Sequence, residues 1–482
     1  MMTDNFAFRR AKILCTLGPA SRDPDVFAAL VGAGMDGVRV NFSHSSHEHA
    51  AQAVELARRT SADAGRPISV LADLQGPKIR VGTLPERIQV KAGEQYLVYP
   101  EERSPPAVDA EIQLIPSTYP ELAVDLGPGD RVLVDDGKIE LTVSELRGDG
   151  VLLEALEGGV LESGKGINLP GTEVGAPSLT EKDREDAQFA LDLGVDYIAL
   201  SFIRRQEDLN ELRSLIDGRA LLIAKIEMAQ ALRNLHGILA GADGLMVARG
   251  DLGVELDFEE VPLVQKRILR LTSETPKLGI TATQMLESMI VSSRPTRAEV
   301  SDVANALLDG TDAVMLSAET AVGAYPVDSV RTMARINRRI ERKPTTAEEA
   351  QGAHFRSLSP VHHTVSGAIA GAAAEATERL GAPFLVTFTN SGFTARIQSA
   401  QRLGVPILAV TDQPRTWGQL ALVYGVIPLR LEGEATYDSM LALARSFALD
   451  RGLGSEGDSF VVTAGVPFHE PGTTNYMRIE TL

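Results

Sequence analysis

GADGLMVARGDLGVE, residues 241–255, is the stretch whose reading decides the fold. A Gly-Ala-Asp turn leads into an apolar run of buried-strand type, and the run breaks off at Arg249, Gly250 and Asp251. The opening pattern recurs. Gly-x-Asp followed by an apolar run appears again as GMDGVRV (34–40), GVDYIAL (194–200) and GTDAVML (310–316), each behind a stretch with helical spacing such as EDAQFALDL or AEVSDVANALL. The Gly suits a helix C′ position with positive φ, and the Asp is expected to hydrogen-bond its own backbone through the turn. Four further β-like runs lie between these: AKILCTL (11–17), ISVLAD (68–73), ALLIAKIE (220–227) and KLGITATQ (277–284). Continuous Val/Ile/Leu/Ala runs alternating with amphipathic helices indicate a parallel sheet covered on its outer face. Eight βα units favour a closed (β/α)8 TIM barrel, an α/β fold. Periodicity alone leaves two open sheets of four strands as the alternative.

Between the third and fourth runs the pattern changes. Residues 74–169 are rich in Gly and Pro, with short Val/Leu/Ile runs between turn signals (KAGEQYLVY, GPGDRVLVDDGKIELTV, GDGVLLEAL), which predicts an all-β lid domain inserted in a βα loop. The barrel is then expected over 1–73 and 170–345. RKPTTAEEAQGAHFRS reads as a polar linker, and a C-terminal α/β domain is expected over 355–482.

Bulk properties narrow the function. A chain of 482 residues divides into several domains. Hydrophobic residues at 44% and charged residues at 23% mark a globular protein. The formal net charge of −18 argues against nucleic acid and anionic lipid as partners. Without an apolar run of about 18 residues, no membrane span is expected. The N-terminal residues carry no secretory pattern, and a single cysteine, Cys15, fits a reducing cytoplasm and excludes a cysteine-based zinc site.

Charged and polar residues cluster after the strand runs: Arg39, Asn41, Ser43 and His44; Asp73; Lys225 and Glu227; Arg249 and Asp251; Thr281, Thr283 and Gln284; Ser317 and Glu319. In such a barrel all of these would converge at the C-terminal strand ends, where active sites lie. Glu227 and Asp251 are hard oxygen ligands suited to magnesium or manganese. Arg39, Lys225 and Arg249 in the same cup would suit a small polyanion such as a phosphate ester, and Gly250 would admit a ligand close to the backbone. Metal and basic clamp together equip a site for phosphoryl transfer or for an enolate held on magnesium. Each group also has a plainer reading: a single Lys or Glu as a surface ion pair, Thr283 or His44 as a helix cap, His47 and His49 as surface residues. GAGMDG (32–37) matches a dinucleotide pattern but lies after a helix and before a strand, the reverse of the order that binding requires. No G-x-x-x-x-G-K-[ST] loop is present.

RVNFSH, LADLQGPKIR, LTEKD, AKIE, MVARGDLGVE, TATQMLESM, RPTRAEVSDVANALLDGTDAVMLSAETAVGAYP and TNSGFTARIQSAQR resemble the pyruvate kinase family, in order and from about residue 9 to the C-terminus. The resemblance implies phosphoryl transfer from phosphoenolpyruvate to ADP and protonation of the enolate to pyruvate, the last step of glycolysis, in a cytoplasmic homotetramer. It implies magnesium, or manganese, on Glu227 and Asp251, and Lys225 and Arg39 on the transferring phosphate. It further implies the substrate carboxylate held by the backbone of Ala248, Arg249 and Gly250 with Thr283, and a proton relay around Thr283, Ser317 and Glu319. Nucleotide would meet Asn41, His44, Arg80 and, from the lid, Lys165. Potassium-requiring members place that ion by the equivalents of Asn41, Ser43, Asp73 and Leu74 and carry Glu where this chain has Lys78. Leu74 and Gln75 also depart from their Thr-Lys pair. Activity without potassium is therefore expected, with Lys78 as an electrostatic substitute. Thr389, Asn390, Ser391, Gly392 and Thr394 correspond to a site for an effector phosphate, with N-capping as the plainer reading. VPFHEPGTTN lacks Arg and Trp and holds Glu470, which favours AMP or a sugar monophosphate over fructose 1,6-bisphosphate. Two other functions compete: a magnesium-dependent lyase or aldolase of the pyruvate-enolate type on a similar barrel, and a metabolite-binding protein without activity.

Overall fold

The first three strand runs form β1 (Lys12–Thr16), β2 (Gly37–Asn41) and β3 (Ser69–Asp73), paired in parallel. The computed structural model describes residues 8–107, 109, 111–342, 364–467 and 474–482; the predicted linker and residues 468–473 of the VPFHEPGTTN loop lie outside the described residues. After β3 the chain builds β4 (Ile88–Val90), β5 (Gln95–Pro100), β6 (Gln113–Ser117), β7 (Arg131–Val134), β8 (Ile139–Arg147), β9 (Gly150–Glu157), β10 (Gly159–Leu161) and β11 (Ile167–Asn168). It then returns through β12 (Tyr197–Leu200), β13 (Leu221–Ile226), β14 (Gly244–Ala248), β15 (Leu278–Ala282) and β16 (Ala313–Leu316). β1–β3 and β12–β16 close into one barrel in sequence order, sealed by β16 against β1. The closed barrel is thus the correct alternative, and two open sheets are excluded.

The barrel interior is filled, not hollow: Leu14, Leu71, Tyr197, Ile223, Met246, Ile280 and Met315 pack in it, with Leu422 of the C-terminal segment among them. The Gly-x-Asp turns work differently from expectation. Gly34, Gly194 and Gly310 take positive φ, whereas Gly241 ends a helix without it. Each Asp accepts not from its own backbone but from the preceding strand of the barrel. Asp36 takes the N–H of Ile13, Asp196 that of Val70, Asp243 that of Leu222 and Asp312 that of Gly279, at 2.7–2.8 Å. Arg9, Arg58, Arg213 and Arg402 neutralise these four carboxylates in turn. The repeat therefore clips even-numbered barrel strands to odd ones at the end of the barrel that serves stability.

The inserted strands form a six-stranded sheet and a β4–β10 pair around a separate core that includes Tyr96, Val132 and Leu153. Beyond the barrel, β17 (Leu385–Phe388), β18 (Ile407–Thr411), β19 (Val426–Arg430), β20 (Ser459–Ala464) and β21 (Tyr476–Thr481) make a sheet that is parallel except for β21. This α/β unit closes the N-terminal end of the barrel: Lys12 Nζ donates to Val426 O at 2.7 Å and Ser69 Oγ to Gly418 O at 2.6 Å. Among the described residues no helix is long and apolar enough to cross a membrane.

Candidate active site

Register brings Arg39 and Asn41 in β2 beside β3, which ends in Asp73, and β3 beside β12 at Ala199. Asp73, 1% exposed, is the hub: Arg39 Nε donates to its Oδ2 at 2.6 Å, and Lys225 Nζ lies 3.3 Å from its Oδ1. Lys225 also meets Glu227 Oε1 at 2.8 Å and donates to Ser201 Oγ at 2.7 Å. Two cations thus face two carboxylates, almost wholly out of water. Burial opposes charge on each, but the paired opposite charges prevail for Asp73 and Lys225: Asp73 stays below the usual carboxylate range and Lys225 above the usual lysine range. For Glu227 burial prevails and pushes the carboxyl up, with Lys225 opposing.

Three residues of this network were not singled out in the sequence. Ser201 and Phe202 follow β12, and the Phe202 N–H donates to Glu227 Oε2 at 2.8 Å from a left-handed backbone (φ 56°). A glycine is needed opposite: a Cβ on Gly76 would come within 2.9 Å of the Phe202 ring. Thr16 at the end of β1 accepts from Arg39 Nη1 at 3.1 Å. Position directly after a strand run was the available signal for Ser201; nothing in the sequence marks a positive φ at a phenylalanine.

Arg249 requires a correction. Its guanidinium is 7% exposed and does not join Arg39 and Lys225 in the cup. It donates instead to Thr283 O, Gln284 O, Met285 Sδ and Asp302, behind the loop that follows β15. The Arg-Gly-Asp triplet is the first turn of a buried helix, Arg249–Glu255. Its Gly250 N–H donates to Thr283 Oγ1 at 2.8 Å, and that hydroxyl donates to Ala282 O at 2.6 Å. Backbone at 248–250 and Thr283 are therefore joined, while the Arg249 side chain is a brace. Glu319 also differs from the expected relay: Oε1 accepts from Leu286 N and Oε2 from Ser317 N, so it ties the loops after β15 and β16 together. Ser317 Oγ is buried and has no hydrogen-bond partner among the described residues.

Asp251 stands at the open side of the cup, 28% exposed, with Lys78 Nζ at 3.6 Å from its Oδ1. Lys78 thus reaches the carboxylate read as a metal ligand, not Asp73, whose oxygens face Arg39 and Lys225. A divalent ion fits this donor set in kind: oxygen ligands only, one carboxylate partly open to solvent. Among the described residues no third His, Cys, Asp or Glu completes a cage, so the remaining positions fall to substrate and water.

Asn41 Oδ1 accepts from the Ser43 N–H at 3.1 Å, and Leu74 follows Asp73 in the core. His44 is exposed and caps nothing, since the helix His47–Ala64 begins on Ser46. Partial burial and the charges of Arg80, Arg39 and Lys78 lower its pKa. Arg80 donates to Gly164 O at 2.9 Å at the root of the lid, and Lys165 is paired with Asp135 at 2.9 Å. His47, read as a surface residue, stacks on Phe189 at 4.0 Å and meets Asp186 at 2.7 Å. In the C-terminal unit, Gly392 (φ 78°) starts the short helix Phe393–Ser399 with no side-chain cap, so plain N-capping is not what this segment does. Asn390 O accepts from Thr416, Thr389 is buried, and the Thr394 hydroxyl is buried against Thr474.

Comparison with known proteins agrees along the chain. The family model described as pyruvate kinase, barrel domain, matches residues 8–330, and that described as pyruvate kinase, alpha/beta domain, matches residues 367–480. The chain is 45% identical to the pyruvate kinase of Mycobacterium intracellulare and 43% identical to that of Corynebacterium efficiens, each over 98% of both chains. It is 42% identical to that of Geobacillus stearothermophilus, over 98% of this chain and 80% of the other. With its closed barrel, inserted β unit and C-terminal α/β unit, the chain belongs to the pyruvate kinase family of phosphotransferases.

Proposed function

We propose that the protein transfers the phosphoryl group of phosphoenolpyruvate to ADP with magnesium, or manganese, and without potassium. The carrying observation is the buried Arg39–Asp73–Lys225–Glu227 network with Asp251 open beside it. Arg39, Lys225, Lys78 and Arg80 outnumber Asp73, Glu227 and Asp251 by one charge. A divalent ion on Glu227 and Asp251 would raise that excess and would supply neutralisation of the phosphoryl and enolate oxygens. A small trianion is the matching ligand.

The residues then act by position and charge. Asp73 and Glu227 keep Lys225 protonated, so its ammonium holds the transferring phosphoryl group while negative charge shifts there. Arg39, fixed by Asp73 and Thr16, orients the same group. The N–H groups at the start of the helix Arg249–Glu255, with Thr283, hold the substrate carboxylate. Ser317 Oγ, unpaired among the described residues, is the hydroxyl left to pass a proton towards the enolate carbon, and Glu319 positions it through its backbone. Asn41, His44, Arg80 and Lys165 take the nucleotide, and the lid excludes water. Lys78 supplies the fixed positive charge that makes potassium dispensable. A cytoplasmic homotetramer, with AMP or a sugar monophosphate acting at residues 389–394, completes the reading.

A lactate-dehydrogenase-coupled assay with magnesium, run with and without ADP, tests it. Pyruvate formation that requires ADP supports transfer. Pyruvate formed without nucleotide would instead favour a lyase.

A further inference from the structure

Residues 74–78, which lead from β3 into the inserted β unit, reach each charged group of the cup directly or through one neighbour. Leu74 O accepts from Ser201 Oγ at 2.9 Å, and Ser201 Oγ accepts from Lys225 at 2.7 Å. Gly76 lies so close to Phe202 and Ser201 that a Cβ would meet them at 2.9 and 3.1 Å, and the Phe202 N–H holds Glu227. Lys78 comes to 3.6 Å from Asp251. One short segment thus bears on Lys225, Glu227 and Asp251, and it is also the outgoing arm that joins the inserted unit to the barrel.

The segment is fastened at Gly76, whose N–H donates at 3.1 Å to Oδ1 of Asp183, a fully buried acid. Asp183 closes the LTEKD stretch and lies in the first turn of the helix Glu181–Asp192, which the chain enters on its return from the inserted unit. Its Oδ2 accepts from the N–H and the hydroxyl of Thr180 at 2.9 and 2.6 Å, and Thr180 Oγ1 accepts from the Asp183 N–H at 3.1 Å, a capping box. That motif uses one carboxylate oxygen and leaves the other over. Burying an acid is costly unless its oxygens are bonded, and the Gly76 N–H supplies the bond that the cap leaves open. Asp183 therefore joins the returning arm to the outgoing one.

We infer that Asp183 is a positioning residue of the transfer reaction: by clasping the two arms it holds residues 74–78 against Ser201 and Phe202, and through them holds Lys225 and Glu227 in place. What the held groups do rests on the reaction proposed above; how they are held rests on the hydrogen bonds alone. Asp183 touches neither substrate nor the reacting atoms. Without it the Gly76 N–H is left without its acceptor, the segment is free to shift from Phe202, and the Phe202 N–H moves with respect to Glu227.

Full-length wild type, Asp183→Ala and Thr180→Val are compared. Thr180→Val spoils the capping box but leaves the bond to Gly76, so both variants are expected to lose roughly 2–4 °C in Tm. Only Asp183→Ala should speed hydrogen exchange in the peptide spanning residues 74–78. Only Asp183→Ala should raise the manganese dissociation constant, read from the paramagnetic resonance signal of the free ion, by roughly threefold or more, a part of what partners of metal ligands are worth. Its kcat should also fall roughly ten- to a hundredfold with little change in KM, whereas Thr180→Val keeps wild-type kinetics. A fall in kcat alone assigns the effect to Lys225 through Ser201 and still supports the clasp. A manganese constant and a kcat both within about twofold of Thr180→Val overturn it, as does unchanged exchange at residues 74–78. Wild type without ADP-dependent turnover would refute the proposed reaction instead, and the manganese and exchange readouts then decide the clasp. If Asp183→Ala does not fold, Gly76→Ala, which leaves the acid and its helix intact but drives a Cβ against Phe202, must weaken manganese binding in its place; a wild-type constant there overturns the inference.

Discussion

Arg249 donates to the carbonyl oxygen of Thr283 twice, through Nε at 3.2 Å and Nη2 at 2.7 Å. Thr283 (φ 65°) and Gln284 (φ 53°) both adopt left-handed backbone, which costs a β-branched residue of order 1–3 kcal/mol. The guanidinium, anchored on Asp302, holds that conformation and so sets where the Thr283 hydroxyl stands against the Gly250 N–H. Arg249→Lys keeps the charge but cannot serve both carbonyls and Asp302. It is expected to lower kcat roughly ten- to a hundredfold, since small misplacements of positioning groups cost that much. Steady-state kinetics beside circular dichroism checks this; kcat within about twofold of wild type in a folded variant would mean the brace is dispensable.

Lys225→Met removes the ammonium that Asp73 and Glu227 share. Turnover is expected to fall by roughly a hundred- to a thousandfold or more, as for loss of a preorganised charge aimed at the transition state. Phosphoenolpyruvate binding should change little. Asp73 would keep Arg39, but buried Glu227 would lose the cation it is paired with, so a loss of stability of about 3–5 kcal/mol should accompany the kinetic effect. Coupled assay, substrate-binding titration and denaturant melts separate the three, and unchanged turnover rejects the assigned role.

Potassium should make little difference. Lys78 brings its charge to within 3.6 Å of Asp251, and that charge is felt at His44. Rates at saturating substrates with and without potassium are expected to agree. Activation of about tenfold, equal to about 1.4 kcal/mol of barrier, would show that Lys78 does not replace the ion. Lys78→Glu is expected to create a requirement.

Glu255 gives stability a pH dependence. It lies between Asn168 of the inserted unit and the barrel, and burial raises its pKa to about 7. The folded state therefore retains a proton that the unfolded state loses near the ordinary value of 4.5. Below that value Glu255 costs nothing; as pH rises from there to about 7, stability falls by an amount on the order of 3 kcal/mol. Glu255→Gln removes the penalty, so the variant should gain on wild type between pH 5 and pH 8 in thermal melts. A difference in Tm that does not move with pH would contradict this.

Much of the architecture was legible because a parallel barrel writes itself as buried runs alternating with helical spacing. The Gly-x-Asp turns marked four strands correctly, yet their carboxylates bond neighbouring strands, a relation that no pattern along one segment contains. Lys225, Glu227 and Asp73 were found because charge at the end of a buried run is conspicuous. Arg249 was conspicuous for the same reason but faces the other way, since position in sequence does not give the direction of a long side chain. Ser201 escaped notice as an ordinary small residue, and Phe202 because its backbone, not its ring, holds Glu227.

The central claim is that Glu227 and Asp251 hold one divalent ion beside the Lys225 ammonium. Manganese titration of pyruvate formation, in wild type, Glu227→Gln and Asp251→Asn, tests it most directly. The account predicts that either substitution raises the apparent manganese constant by roughly tenfold or more, since even partners of metal ligands are worth that much. A wild-type manganese constant in both variants would contradict it.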